Sequence, residues 1–279
     1  MSSQHISEQD TLRKPTHDVD HDRVTVERTT HQRLSDTWPL HRREATQLFI
    51  GLALLTLVWI AVGKLVVGPL NDSVLVKTDN RVADWMVAHR TPAWNHLTFW
   101  GSFLAETVTK VVVTAVVAGV LLSLWRRWFE PLVLTVSLVV EATAFIIATN
   151  VVGRQRPDVP HLDNSPVGSS FPSGHTAAAA AYVAIAVIVF WNTRKAWRRV
   201  LIATVCVLVP AIVAISRMYR GMHFLSDTIA GAILGAAAVM LTVTVLARSP
   251  EGARALADLD PANTENRRIA AGSGETCPS

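Results

Sequence analysis

VLIATVCVLVPAIVAIS-RMYRGM-HFLSDTIAGAILGAAAVMLTVTVLA, residues 200–247, is the stretch that decides the fold. Two apolar runs flank a short polar link, Arg217 to Met222, and each run is long enough to cross a bilayer core, which takes about 20 residues of helix. So short a link forces the two helices to lie antiparallel. It also places Arg217, His223 and Asp227 at a membrane edge, where an ionisable group is costly and is usually kept for a function.

Outward from this pair the pattern repeats. Apolar runs predict further spans over 47–70, 97–125, 131–149 and 173–191, so the fold class is an all-α, polytopic six-span helical bundle. Composition agrees: the 279 residues are 50% hydrophobic and only 17% charged, with a mean hydropathy of +0.30. The segment from Asn71 to Asn95, with Trp85 and Trp94, reads as interfacial and half-helical. The expected domains are a disordered tail over 1–45, a membrane domain over 46–248 and a second disordered tail over 249–279. His5, His17, His21, His31 and His41 in the first tail show no ligand spacing and read as solvated. About 45 polar residues precede the first apolar run, so it is expected to be an uncleaved anchor. Cys206 lies in an apolar run and Cys277 in the tail, which argues against a disulfide between them.

The pI near 9.4 could point to nucleic acid, but the basic residues follow topology instead of forming a stripe. Arg42, Arg43, Arg126, Arg127, Arg194, Lys195, Arg198, Arg199, Arg248 and Arg254 collect at one end of the expected bundle, with Trp125, Trp128, Trp191 and Trp197. The positive-inside rule then places both termini in the cytoplasm of a plasma (inner) membrane protein, and the polar clusters on the extracytoplasmic face.

Those clusters carry the chemistry. His223 and Asp227, four residues apart, would share a helix face, so the carboxylate could take one imidazole proton and free the other nitrogen as nucleophile or base. A histidine that merely satisfies a polar helix contact is the plain alternative. Arg217 enters the same edge, and Arg154 and Arg156 arrive from the end of the third span. Guanidinium forks match phosphate oxygens, so these arginines point to an anion with several oxygens; contact with lipid headgroups is the alternative for Arg154 and Arg156. Pro172-Ser173-Gly174-His175 opens the fourth span, where backbone N–H groups and the helix dipole favour an anion. Gly174 permits close approach, and His175 stands at the mouth as a proton donor. His175, His223 and Asp227 as metal ligands would be opposed by the neighbouring arginines, which repel a cation. Gly231, Gly235 and the alanines 177–181 offer small faces for close helix packing or, alternatively, a dimer seam.

Taken together, Arg156-Pro157, Pro172 to His175, and Ser216-Arg217 with His223 and Asp227 resemble the type-2 phosphatidic-acid phosphatase family, over about residues 47–247. Soluble vanadium haloperoxidases are wider relatives. The resemblance implies an integral-membrane phosphatase acting on a lipid phosphomonoester or diphosphate, such as a polyprenyl diphosphate, phosphatidic acid or phosphatidylglycerol phosphate. It implies His223 as nucleophile, Asp227 as its orienter and His175 as acid and then base. Arg156, Arg217, Ser173 and Gly174 would hold the phosphoryl oxygens, and no metal or cofactor would be needed. One departure stands out: the family's first-motif lysine falls at Thr149. Arg154 could compensate, or Lys110 from the outer part of the second span; an ion pair of Lys110 with Glu106 or Glu141 is the favoured reading of that lysine. The loop from Asp158 to Phe171, with His161, Asp163 and Asn164, is expected to select the substrate. The alternatives are a lipid-phosphate binder or transporter with a degenerate site, and a phosphotransferase to an alcohol acceptor. Beyond the lipid and the bilayer no partner is implied, and nucleic acid is not.

Overall fold

The computed structural model describes residues 39–164 and 168–257, which fold into ten helices without strands among the described residues. In chain order they are α1 (Arg42–Val67), α2 (Val74–Ala88), α3 (Pro92–Phe103), α4 (Thr107–Trp125), α5 (Phe129–Val152), α6 (Gly174–Ala181), α7 (Val183–Asn192), α8 (Ala196–Tyr219), α9 (Leu225–Leu246) and α10 (Pro250–Ala257). Among the described residues six stretches are long and apolar enough to span a membrane: α1, α4, α5, α6 with α7, α8 and α9. The six-span reading stands, with corrections of detail.

The expected second span, 97–125, is two helices. α3 ends at Phe103, and Glu106 in extended conformation starts α4 afresh. The fourth span is interrupted at Tyr182, where the chain tightens to a bond from the Ile185 N–H to the Tyr182 carbonyl. The interfacial segment forms a full helix, α2, started by Ser73, whose hydroxyl accepts the Val76 N–H. The expected disordered tails lie mostly outside the described residues, but both give ground to helix where they are described. α1 begins at Arg42, with the Glu44 carboxylate accepting the His41 N–H at 3.2 Å. Past the last span, Ser249 caps α10 by accepting the Gly252 N–H at 2.9 Å, and Pro250 takes the first helical position.

Burial orders the helices. Half of the apolar stretch is buried in α5 and in α6 with α7, and 44% in α9, against 6% in α4. The first three form the core. The outer helices turn Leu54, Leu57, Val108, Val112, Val116 and Val207 outward, the surface that hydrocarbon requires. At the heart of the bundle α9 lies against α6 with backbones almost touching: a Cβ at Gly231 would collide with the Ser173 carbonyl, and one at Gly235 with the Ala177 carbonyl. The small faces therefore serve close packing inside the bundle.

The two ends of the bundle differ. At one end Arg127 chelates the fully buried Glu130, joined by the Asn192 amide, and also donates to the Ala255 carbonyl of α10. His41 and Glu251 meet there at 3.3 Å, so both described chain ends lie at this end. The polar clusters gather at the other.

Candidate active site

Two turns deliver the site residues. α5 ends at Gly153, whose φ of +69° is the left-handed conformation glycine accepts at no steric cost, and the chain turns directly into Arg154 and Arg156. Gly221, with φ of +77°, makes the sharp link from α8 to α9 and packs against the Pro160 carbonyl. Arg90 braces this link from outside, donating to the Tyr219 carbonyl at 2.9 and 3.0 Å and to the Pro160 carbonyl at 2.7 Å.

α9 begins at Leu225, so His223 stands just before the helix and not on it. The expected helix-face pair with Asp227 is therefore not formed. The carboxylate folds back instead to cap the helix, accepting the Phe224 N–H at 2.9 Å, and lies 3.9 Å from His223 Nδ1. The acceptor for Nδ1 is the Ser170 carbonyl, at 2.7 Å. A carbonyl can only accept, so Nδ1 carries the proton and the lone pair of the neutral ring is on Nε2. Burial, then the charges of Arg217 and Arg156, hold the His223 pKa well below its ordinary value, so the ring is neutral at neutral pH.

Arg154 does not face the ligand space. It is buried, donating to Asp227 at 2.5 Å, to Asp79 of α2 at 2.8 Å and to the Ser226 hydroxyl at 2.8 Å. Asp79 also accepts the Ser226 N–H at 2.9 Å. Two carboxylates and a hydroxyl thus engage both terminal nitrogens of this guanidinium, and the expectation that it binds phosphate gives way to a structural role behind His223. Ser173 too is turned inward: its N–H donates to the Asp227 carbonyl at 2.9 Å and its hydroxyl meets that of Thr176 at 3.0 Å.

The remaining candidates converge. A cavity of about 120 Å³ is lined by His223, His175, Arg156, Arg217, Gly174, Lys110, Ser169, Phe145, Thr107 and Ala105. Arg156 is held by the Met222 carbonyl and by the Ser169 carbonyl at 3.2 Å; burial lowers its pKa, which still leaves it charged, as a guanidinium is throughout the physiological range. Arg217 donates to Ser102 at 2.9 Å and Asp163 at 3.0 Å, while its buried Nε has no acceptor among the described residues. A second cavity of about 380 Å³ adjoins, sharing His175 and Arg217 and lined also by Phe99, Phe103, Glu106, Asp163 and Asn164. Burial alone would raise the Asp163 pKa, but the hydrogen bonds and charge of Arg220, with Arg217, hold it below the ordinary range. Of the loop expected to select substrate, Asp163 and Asn164 reach this second cavity; His161 instead bonds the Pro157 carbonyl at 3.0 Å.

Asp79, Ser102, Ser169 and Ser170 escaped the reading of the sequence. Only Asp79 left a signal, a carboxylate in an otherwise amphipathic interfacial segment. Chemically, the cavity sets an imidazole lone pair and a second imidazole among fixed cations and the N-terminus of α6.

Residues 130–251 match the PAP2 superfamily. No curated protein matches the chain in sequence. Among solved structures, the first transmembrane PAP2-type phosphatidylglycerolphosphate phosphatase from Bacillus subtilis is similar at a TM-score of 0.59 and 21% identity, covering 70% of this chain and 94% of its own. LpxE of Aquifex aeolicus aligns at a TM-score of 0.47 and 20% identity, over 59% of this chain and 93% of its own. The segment that matches the PAP2 superfamily, residues 130–251, embraces His175, His223 and Asp227, so over this part the chain is similar to that family.

Proposed function

We propose that the protein is a membrane phosphatase that hydrolyses a lipid phosphomonoester or diphosphate through a phosphohistidine on His223. The observation that carries this reading is the neutral His223 ring, its Nδ1 fixed on the Ser170 carbonyl, bordering a cavity walled by Arg156, Arg217 and His175. A phosphate binder needs only the cations; a buried imidazole held in one tautomer is what a nucleophile requires.

In the first step Nε2 attacks phosphorus and a P–N bond forms as the bond to the leaving oxygen breaks. His175 lies between the two cavities; taking up a proton as the phosphate dianion binds, it enters the step as the imidazolium and donates that proton to the leaving oxygen. In the second step His175 takes a proton from water, the hydroxide attacks phosphorus, the P–N bond breaks and orthophosphate leaves. Arg156, the orphaned Nε of Arg217 and the first amides of α6 stabilise the oxygens in both transition states. Asp227 holds the α9 start in register and offsets the positive charge that the ring gains on phosphorylation.

The reading extends to sidedness. The basic end, with Arg42, Arg126, Arg127, Arg198 and Arg199, would face the cytoplasm, and the site the extracytoplasmic side.

The test is phosphate release by detergent-purified protein with EDTA present, over a panel of polyprenyl diphosphates, phosphatidic acid and phosphatidylglycerol phosphate. Release that persists in EDTA and is lost in His223→Ala is the expected result, with an acid-labile phosphoenzyme trapped in the wild type. Full activity in purified His223→Ala protein would overturn the mechanism.

A further inference from the structure

We propose that Lys110 of α4 is a phosphate-binding residue, held at the cavity by Glu141, and that it supplies from a different helix the cation that α5 lacks at Thr149. This rests on the reading of the cavity as a phosphoryl site.

Three observations bring Lys110 there. It lines the cavity together with His223, His175, Arg156 and Arg217, near the start of α4 and one turn after the break at Glu106. Its ammonium is 3.7 Å from Glu141, an ion-pair distance beyond hydrogen-bonding range, and neither Glu141 oxygen has a hydrogen-bond partner among the described residues. The pair is thus an electrostatic tether that leaves the ammonium its three donors. Finally, Glu141, Phe145 and Thr149 follow one another at four-residue spacing on one face of α5, and Phe145 lines the same cavity. Thr149 is buried, its hydroxyl has no partner among the described residues, and it does not line the cavity. Among the described residues α5 gives this cavity only Phe145, and α4 gives it the cation Lys110.

The pairing explains an otherwise costly residue. A fully buried carboxylate needs a partner, and a surface ion pair would not require one so deep. Placed as it is, Glu141 offsets part of the charge of Lys110 while the site is empty. An arriving phosphate dianion then takes over that role, and the ammonium can turn its donors to the phosphoryl oxygens. The expected ion pair and the expected phosphate contact are therefore two states of one residue.

The decisive variant is Lys110→Met/Glu141→Gln, which removes both charges and leaves neither ion buried alone. Folding is followed by size-exclusion elution and melting temperature in detergent. Activity is read as kcat/KM on the best lipid substrate, and anion binding as inhibition by orthovanadate. A phosphate contact predicts that the double variant folds like wild type, loses about 10- to 100-fold in kcat/KM, and needs correspondingly more orthovanadate. Lys110→Arg should recover part of both. If Lys110 serves only as the counterion of Glu141, the double variant keeps wild-type kcat/KM and orthovanadate inhibition, and the proposal fails. A wild type that releases phosphate from no lipid overturns the hydrolase reading instead. Lys110 is then judged by orthophosphate affinity, and an unchanged affinity in the double variant overturns it.

Discussion

His223 differs from a surface histidine in a way that pH exposes. Buried beside two guanidinium groups, it resists protonation, whereas in the unfolded chain it titrates near its ordinary value of about 6.5. Between those two pKa values the unfolded state binds the extra proton, so stability rises with pH through this window. The contribution is fully present above about pH 6.5 and is lost as pH falls toward the folded-state value. His223→Asn removes it. On going from pH 7 to pH 5, the melting temperature of the wild type should therefore fall further than that of the variant; equal falls would contradict the burial of a neutral ring. Asp79 tests the layer behind. It shares Arg154 with Asp227 and holds Ser226, yet touches nothing in the cavity. Asp79→Asn leaves the buried guanidinium with one carboxylate and loosens the α9 start. It should lower kcat by roughly tenfold while KM changes little, because binding groups stay in place and alignment of the nucleophile suffers. A change confined to KM would argue against this positioning role. The sequence announced His223, His175, Arg156 and Arg217 through residue type and spacing. It could not reveal that Arg154 turns away, since the deciding partner, Asp79, is 75 residues distant.

Helices were legible where apolar length alone decides and illegible where a single backbone bond does. The run 97–125 carries only Glu106 and Lys110 as charges, and nothing in its periodicity separates α3 from α4; the break matters because it sets Lys110 at the first cavity and Ser102 at the second. The short α10 was missed although Ser249-Pro250 is a helix-start signal, because a polar tail after the last span reads as coil. The small face of α9 was legible, and it can be tested. Gly231 faces the Ser173 carbonyl with no room for a Cβ, so Gly231→Val must push α6 away from α9. Overpacking of this kind costs about 1–3 kcal/mol. Since Gly174 and His175 begin α6, the displacement should also depress turnover more than the stability loss alone implies. Thermal melts and kcat measured at a temperature where the variant stays folded separate the two effects. Normal turnover with a lowered melting temperature would show that the α6–α9 contact serves stability only.

At the scale of the whole bundle, charge is distributed by end, and the two ends use it differently. Near the site Arg90, Arg154, Arg217 and Arg220 are each engaged by named carbonyls or carboxylates, so their charge is internal to the architecture. At the opposite end Arg42, Arg43, Arg126 and Arg198 are exposed, which is where cations govern insertion. Sorting arginines this way required the structure. A plain count of basic residues along the sequence favours the same orientation. The asymmetry yields a direct expectation. In a Cys277→Ser background, where Cys206 is buried, Asn71→Cys lies at the site end and Arg198→Cys at the basic end, both exposed. A membrane-impermeant thiol reagent applied to intact cells should label Asn71→Cys at once and Arg198→Cys only after permeabilisation. The reverse pattern would put the site in the cytoplasm, and the substrate would then have to be sought among lipid phosphates of the inner leaflet.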